Sequence, residues 1–336
     1  MRDERIDVLR GLGLAMIVLA HVDPPGAIFQ LRNFDVPLMV LVAGLSYRAT
    51  ARVERYRTYL WSRFERLVLP VWVFLSGYFA FAAITGVPID LPAPERIWSS
   101  YLLLDGIGYV WIIRVFLLVA LVAPAIHALH RSESSHLRYF ALLSGCYLAY
   151  AAAVSVSGAN ATPEWSWVLE HTVYALVPYA LVFAVGLRLP DLDRRQLALL
   201  AGLMLAAFLA LMWFYRAQAG RFVPTQEFKY PPQSYYLAYA LFVAVGAWRY
   251  VAAAIVLLRQ TRMLPPILFL GRHSIWIYLW HIPLVAAISL PFYVRYPLVL
   301  AIASLFAWLQ ARLLETWLLR ISDPLWHRHL RRIFTG

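Results

Sequence analysis

The sequence predicts an all-α polytopic integral membrane protein, a bundle of about ten transmembrane helices with both termini in the cytoplasm. Three observations lead there. The 336 residues are 62% hydrophobic and only 14% charged, with a mean hydropathy of +0.65, far from the composition of a soluble domain. The apolar residues gather into runs of membrane-spanning length, and the basic residues gather at alternate ends of those runs.

The predicted spans are 6–22, 34–48, 66–86, 109–129, 137–157, 167–188, 196–216, 234–257, 266–290 and 297–319. Helices are expected because a bilayer offers no water to satisfy exposed backbone groups. The second span is short, and 97–105 reads as an additional interfacial helix.

With a cytoplasmic N-terminus, 21 of the 30 Lys and Arg residues fall on the inner side, among them Arg2, Arg52, Arg63, Arg66, Arg188, Arg320, Arg328, Arg331 and Arg332. Only Arg32, Arg96, Arg216, Arg221, Lys229 and Arg295 fall outside, while Arg114, Arg272 and Arg312 lie within spans. This is the positive-inside pattern, so the formal charge of +12 marks orientation and does not call for nucleic acid. The 13 Trp and 20 Tyr suit interfacial belts or a pocket equally.

The lone Cys146 excludes an intrachain disulfide framework. No small-residue cleavage site follows the first apolar run, so it reads as a retained helix. No linker or low-complexity tract divides the chain, and residues 1–336 read as a single transmembrane domain without a separate soluble domain.

Ionisable side chains inside such helices are costly, so each is a candidate for function. The sharpest case is DVLRGLGLAMIVLAH, Asp7 to His21. Arg10 and His21 stand eleven residues apart, which places them within about 20° of one helix face and roughly 16 Å apart along the axis. Gly11 and Gly13 allow a neighbouring helix to come close, turning this face into the bundle. Taken singly, Arg10 reads as an orientation charge and His21 as a polar helix end. Taken together they read as functional, with His21 a candidate general base. Asp35, in FDVPLMVLVAGL, enters the membrane from the side on which the first helix ends. It either orients His21 or caps its own helix.

In RFERLVLP, Arg63 and Arg66 are neighbours on a helix face and suit phosphate or carboxylate binding, or simply orientation. In the ninth span Ser274, Tyr278 and His281 form a polar stripe that lines an acceptor cavity or bonds neighbouring helices, and Arg272 and His273, closer to the cytoplasm, extend the phosphate-binding surface. Arg114 and Lys229 are outer cations suited to an anionic or carbonyl oxygen. Arg312 and Glu315 read as an internally neutralised pair, and Trp111, Trp165 and Trp167 as sugar-stacking or interfacial rings. The sequence holds no Walker loop, dinucleotide glycine fingerprint, GxSxG or HExxH, so no metal site is expected and ATP-driven transport and zinc hydrolysis lose their sequence support.

In this order, RIDVLRGLGLAMIVLAH, FDVPLMVLVAGLSY, RFERLVLP, YVWIIRVFLLVALVAP, EFKYPPQSYYLAYALF and LGRHSIWIYLWHIPL resemble the membrane-bound acyltransferase type 3 family over essentially the whole chain. The resemblance implies a ten-helix O-acyltransferase of a bacterial-type cytoplasmic membrane, multi-pass and acting on the cell envelope. It implies transfer of an acyl group, usually acetyl, from cytoplasmic acetyl-CoA or another acyl-CoA to a hydroxyl of a polysaccharide, other glycan or glycolipid. It carries His21 over as the catalytic histidine and Arg10, Arg63 and Arg66 as donor-side residues. The family often has Ser-Gly where this chain has Ala43-Gly44, so a role for that serine does not transfer. No hydrolase-like C-terminal domain is expected, which leaves acceptor selection to the membrane domain or a partner. The reading from another class is a glycolipid or small-amphiphile transporter, its intramembrane charges lining a path.

Overall fold

The computed structural model describes residues 3–50, 55–85, 94–104, 106–107, 109–160, 162–318 and 323–335. In chain order its helices are α1 (Glu4–Ala20), α2 (Gly26–Leu31), α3 (Asp35–Thr50), α4 (Tyr56–Thr85), α5 (Pro94–Tyr101), α6 (Trp111–Ser132), α7 (His136–Asn160), α8 (Pro163–His171), α9 (Val173–Arg188), α10 (Arg194–Ala219), α11 (Ser234–Gln260), α12 (Leu264–Arg272), α13 (Ser274–Ala287), α14 (Phe292–Leu318) and α15 (Pro324–Phe334). Two 3-10 turns, Leu189–Asp191 and Thr225–Phe228, and one isolated bridge, Lys229 to Pro232, complete the regular structure of the described residues.

Eight helical segments among the described residues are long and apolar enough to cross a membrane: Gly26–Thr50, Tyr56–Thr85, Trp111–Ser132, His136–Val156, Glu164–Asp191, Arg194–Ala219, Ser234–Gln260 and Phe292–Leu318. The protein is an all-α polytopic membrane protein. Two of the ten expected spans take another form. The first is α1, only 17 residues long, with Glu4, Arg5, Asp7 and Arg10 in its first half. The ninth is not one helix: the run 266–290 divides at His273 into α12 and the 14-residue α13, and the chain leaves helix after Ala287. The helix expected over 97–105 forms as α5, with the indole N–H of Trp72 donating to the Tyr101 carbonyl at 2.8 Å. Of the inner basic set, Arg2, Arg52 and Arg320 lie outside the described residues.

The chain divides into two compact units, each made of two segments. The first unit comprises Met1–Arg52 and Leu121–Gly271, and the second Val53–Ala120 and Arg272–Gly336. In the first unit α3 is the central helix, packed on α1, α9 and α11. Glycines make these contacts close. A Cβ on Gly44 would strike the Phe183 carbonyl and one on Gly186 the Leu41 carbonyl, so α3 and α9 meet backbone to backbone. Gly11 and Gly13 act as expected: a Cβ on Gly11 would lie 2.8 Å from the Ile267 carbonyl oxygen of α12, and one on Gly13 2.7 Å from Met39 of α3.

The second unit packs α13 on α14 and α4, and α15 on α4 and α14. Helix ends follow local chemistry. Asp3 caps α1 by accepting the Arg5 amide at 3.0 Å, and α10 opens on a capping box between Asp193 and Gln196 and closes at Gly220 with φ of 67°.

Candidate active site

The first unit holds Arg10, His21, Asp35 and Lys229. Arg10 and His21 are at the two ends of one stretch of α1, with His21 at the C-cap, its backbone N–H donating to the Val18 carbonyl at 3.1 Å. Arg10 is pinned. Its Nη1 donates to Asp7 Oδ1 at 3.2 Å and its Nη2 to Ser46 Oγ of α3 at 2.7 Å, and Asp7 is fully buried beneath it. The guanidinium is thus fixed in direction and remains 22% exposed at the side chain. Ser46 was not singled out in the sequence. A polar residue in an apolar helix, at the depth where an antiparallel neighbour meets Arg10, is the signal that finds it.

Asp35 is placed differently from the expected orienter of His21. It starts α3, and its Oδ1 accepts the Val36 amide at 2.8 Å, which is the helix-capping role. Its Oδ2 accepts from Arg32 Nη1 at 2.7 Å, and Oδ1 lies 3.8 Å from Lys229 Nζ. The register also separates it from His21. A Cβ on Gly13 would come within 3.7 Å of the Asp35 carbonyl oxygen, so α3 begins beside Gly13, about 12 Å of helix before His21.

Lys229, expected as an outer cation suited to an anionic or carbonyl oxygen, is one arm of a buried triad with Asp35 and Arg32, all under 6% exposed at the side chain. Burial pushes the Lys229 ammonium below its ordinary range, Asp35 opposes that shift, and Arg32 adds to it. Arg32 lies over the Phe29 ring at 3.9 Å, and Asn33 Nδ2 donates to Thr225 Oγ1 at 2.8 Å beside it. Arg32 had the sequence signal of standing three residues before Asp35.

Two further arginines of this unit, Arg48 and Arg188, do more than mark orientation. Arg48 holds Asp191 through two bonds of 2.6 Å. Arg188, 4% exposed, donates to the carbonyls of His130, Glu133 and Ser134 and to His136 Nδ1, closing the C-terminal end of α6.

The second unit holds Arg63, Arg66, Arg114, Tyr278 and His281. Arg63 lies with its guanidinium carbon 5.0 Å from the Tyr59 ring centre, and its buried Nε has no hydrogen-bond partner. Arg66 is exposed, and Glu65 between them is 2% exposed, with Oε1 on His329 Nδ1 at 2.5 Å and Oε2 on Arg332 Nη1 at 2.8 Å. These two bonds tie α15 to α4.

In the polar stripe of the ninth span, the Tyr278 hydroxyl donates to the Tyr109 carbonyl, just before α6, and the buried His281 contacts the Tyr278 carbonyl of its own helix through Nδ1 and the Tyr109 ring edge-on at 5.8 Å. Arg114 Nη1 donates to the Leu104 carbonyl at 3.1 Å, holding the turn before α6. Arg312 and Glu315 do pair, at 3.9 Å, and both are exposed. Among the described residues no cluster of His, Cys, Asp or Glu is arranged to hold a metal ion.

A pinned arginine and a cap histidine on one helix, in a chain of membrane-spanning helices, now meet an independent finding: the family model described as an acyltransferase domain matches residues 3–311. The chain belongs to the acyltransferase type 3 family. Neither a curated protein nor a solved structure matches it. As a membrane acyltransferase of this family it carries Arg10, His21, Arg63 and Arg66 within the matched residues, whereas α15, which holds Glu65, lies beyond them.

Proposed function

We propose that this acyltransferase takes an acyl group, acetyl in the first instance, from acyl-CoA and places it on a hydroxyl of a glycan or glycolipid, in a bacterial-type cytoplasmic membrane with both termini in the cytoplasm. The observation that carries the reading is α1: one short helix of an acyltransferase presents a directed cation and an imidazole eleven residues apart. Arg10 is a donor-side residue of the first unit; in the second, Arg63 and Arg66 suit phosphates of the donor, a role that the unpartnered Nε of Arg63 fits.

His21 accepts the proton of the acceptor hydroxyl as that oxygen attacks the thioester carbonyl. The tetrahedral adduct then expels the CoA thiolate, which takes the proton back from the imidazolium. The C-terminal end of the α1 dipole, at His21, favours the positive charge that forms there during transfer. Asp35 has no step in this scheme; its charge holds Arg32 and Lys229. Tyr278, His281, Arg114 and Lys229 support the walls of their own units.

The experiment is acetyl-CoA binding by calorimetry and acyl transfer to glycan acceptors, on the purified full chain in nanodiscs. His21→Ala is expected to lose about two or more orders of magnitude in transfer rate while inserting and binding donor normally. Transfer near the wild-type rate removes His21 from the mechanism. Arg10→Ala is expected to weaken acetyl-CoA binding; unchanged affinity leaves Arg10 a structural role through its bonds to Asp7 and Ser46.

A further inference from the structure

The RFER stretch of α4 contains a contradiction. Arg63 and Arg66 suit a polyanion, but Glu65, between them in sequence, carries the opposite charge and would both attract these arginines and repel a phosphate. The structure withdraws it. Both Glu65 oxygens are bonded to basic groups of α15, His329 and Arg332, which stand three residues apart on one face of that helix.

Helix α15 is also held independently of this clamp. The Trp276 indole donates to the Ile333 carbonyl at 2.8 Å, Gln310 Nε2 donates to the Phe334 carbonyl at 2.8 Å, and Phe334 stacks on Trp276 with centroids 5.9 Å apart. The clamp therefore adds charge compensation to a helix that hydrophobic packing and other bonds already place. Helix α15 brings this compensation from outside the residues that match the family, 3–311.

We infer that α15 is a positioning element of the donor site: Arg332 and His329 hold and neutralise Glu65, so that Arg63 and Arg66 meet the donor's phosphates without an opposing carboxylate. The inference rests on the reading of Arg63 and Arg66 given above. Neither Arg332 nor His329 touches the reacting atoms in this scheme; they act through Glu65. Without them, Glu65 regains water, keeps its charge and opposes each phosphate nearby.

The test is acyl-CoA affinity by calorimetry, with KM and kcat, for the full chain and three variants checked for folding by size exclusion. The Arg332→Ala/His329→Ala pair is expected to weaken donor affinity about tenfold, from one uncompensated charge near several phosphates, through KM with little change in kcat. Glu65→Gln is expected to bind donor at least as tightly as wild type, since the carboxylate that needed compensation is gone while Arg332 and His329 remain. The triple variant is expected to regain the affinity of the wild type, because carboxylate and compensating groups are removed together. If Glu65→Gln instead weakens binding as much as the pair does, or the triple is not rescued, the clamp is only a tether and the inference is overturned. Should the pair fail to fold, Arg332→Gln alone against Arg332→Gln/Glu65→Gln asks the same question. Unchanged affinity in Arg63→Ala and Arg66→Ala removes the donor reading and this inference with it. Loss there, with no effect of the α15 variants, removes only the role of α15.

Discussion

Asp35 in the first unit and Glu65 in the second each share one carboxylate between two basic side chains, yet the two arrangements differ in where the basic groups stand. Around Asp35, Arg32 and Lys229 are exposed by 3% and 5% at the side chain. Around Glu65, Arg332 and His329 are exposed by 34% and 41%. Water can replace Glu65 for its partners but cannot replace Asp35 for Arg32 and Lys229. The first arrangement is a fixed part of the fold, and the second can be undone at small cost, which is what a site for tuning charge requires.

The sharpest way to break this comparison is Asp35→Ala. It leaves two buried cations without their carboxylate and is expected to cost about 3–5 kcal/mol, read as a large fall in melting temperature or failure to accumulate in the membrane. A variant that melts like wild type would show that the triad is dispensable. Glu65→Gln, by contrast, is expected to lower stability by about 1 kcal/mol or less, because its partners turn to solvent, and the loss should shrink as salt rises. A salt-insensitive loss as large as that of Asp35→Ala would erase the distinction.

The smallest effect belongs to a third carboxylate, Asp3, which lies before α1. Its hydrogen bonds from the Arg5 side chain and backbone hold it below the ordinary carboxylate range. Its contribution is therefore complete above the unfolded value near 3.8 and is lost as pH falls through the lower folded value. Asp3→Ala is expected to cost about 0.5–1 kcal/mol at neutral pH, with the difference from wild type closing in melting curves taken toward pH 3.

Much of the candidate site was legible because it lies on single helices. The spacing of Arg10 and His21 is a property of one helix, and the role of Gly11 and Gly13 follows from their missing side chains. Asp35 was not legible in the same way. It was expected to meet His21 at similar depth, but the axial register of α3 against α1 is set by how Met39 fits over Gly13, and that is a matter of packing. Lys229 read as an outer cation suited to an anionic or carbonyl oxygen, and Arg32 as one of the few basic residues outside, because sequence position cannot distinguish a loop folded inward from one left in solvent. The break at His273 was hidden inside a continuous apolar run, since hydropathy registers the burial of a segment and not its backbone path.

By itself the sequence determined that this chain is helical, that it lives in a membrane, and that it carries the ordered motifs of an acyltransferase. The first two properties follow from composition and periodicity, which act within one segment at a time; the third rests on the resemblance of its motifs, in their order, to a known family. Only the tertiary structure decided which carboxylate meets which cation. It set Ser46 against Arg10, Asp35 against Arg32 and Lys229, and Glu65 against a helix more than 250 residues away in the chain. The reason is physical: a buried charge is stabilised by whatever partner packing brings within about 3 Å, and packing is a property of the whole fold.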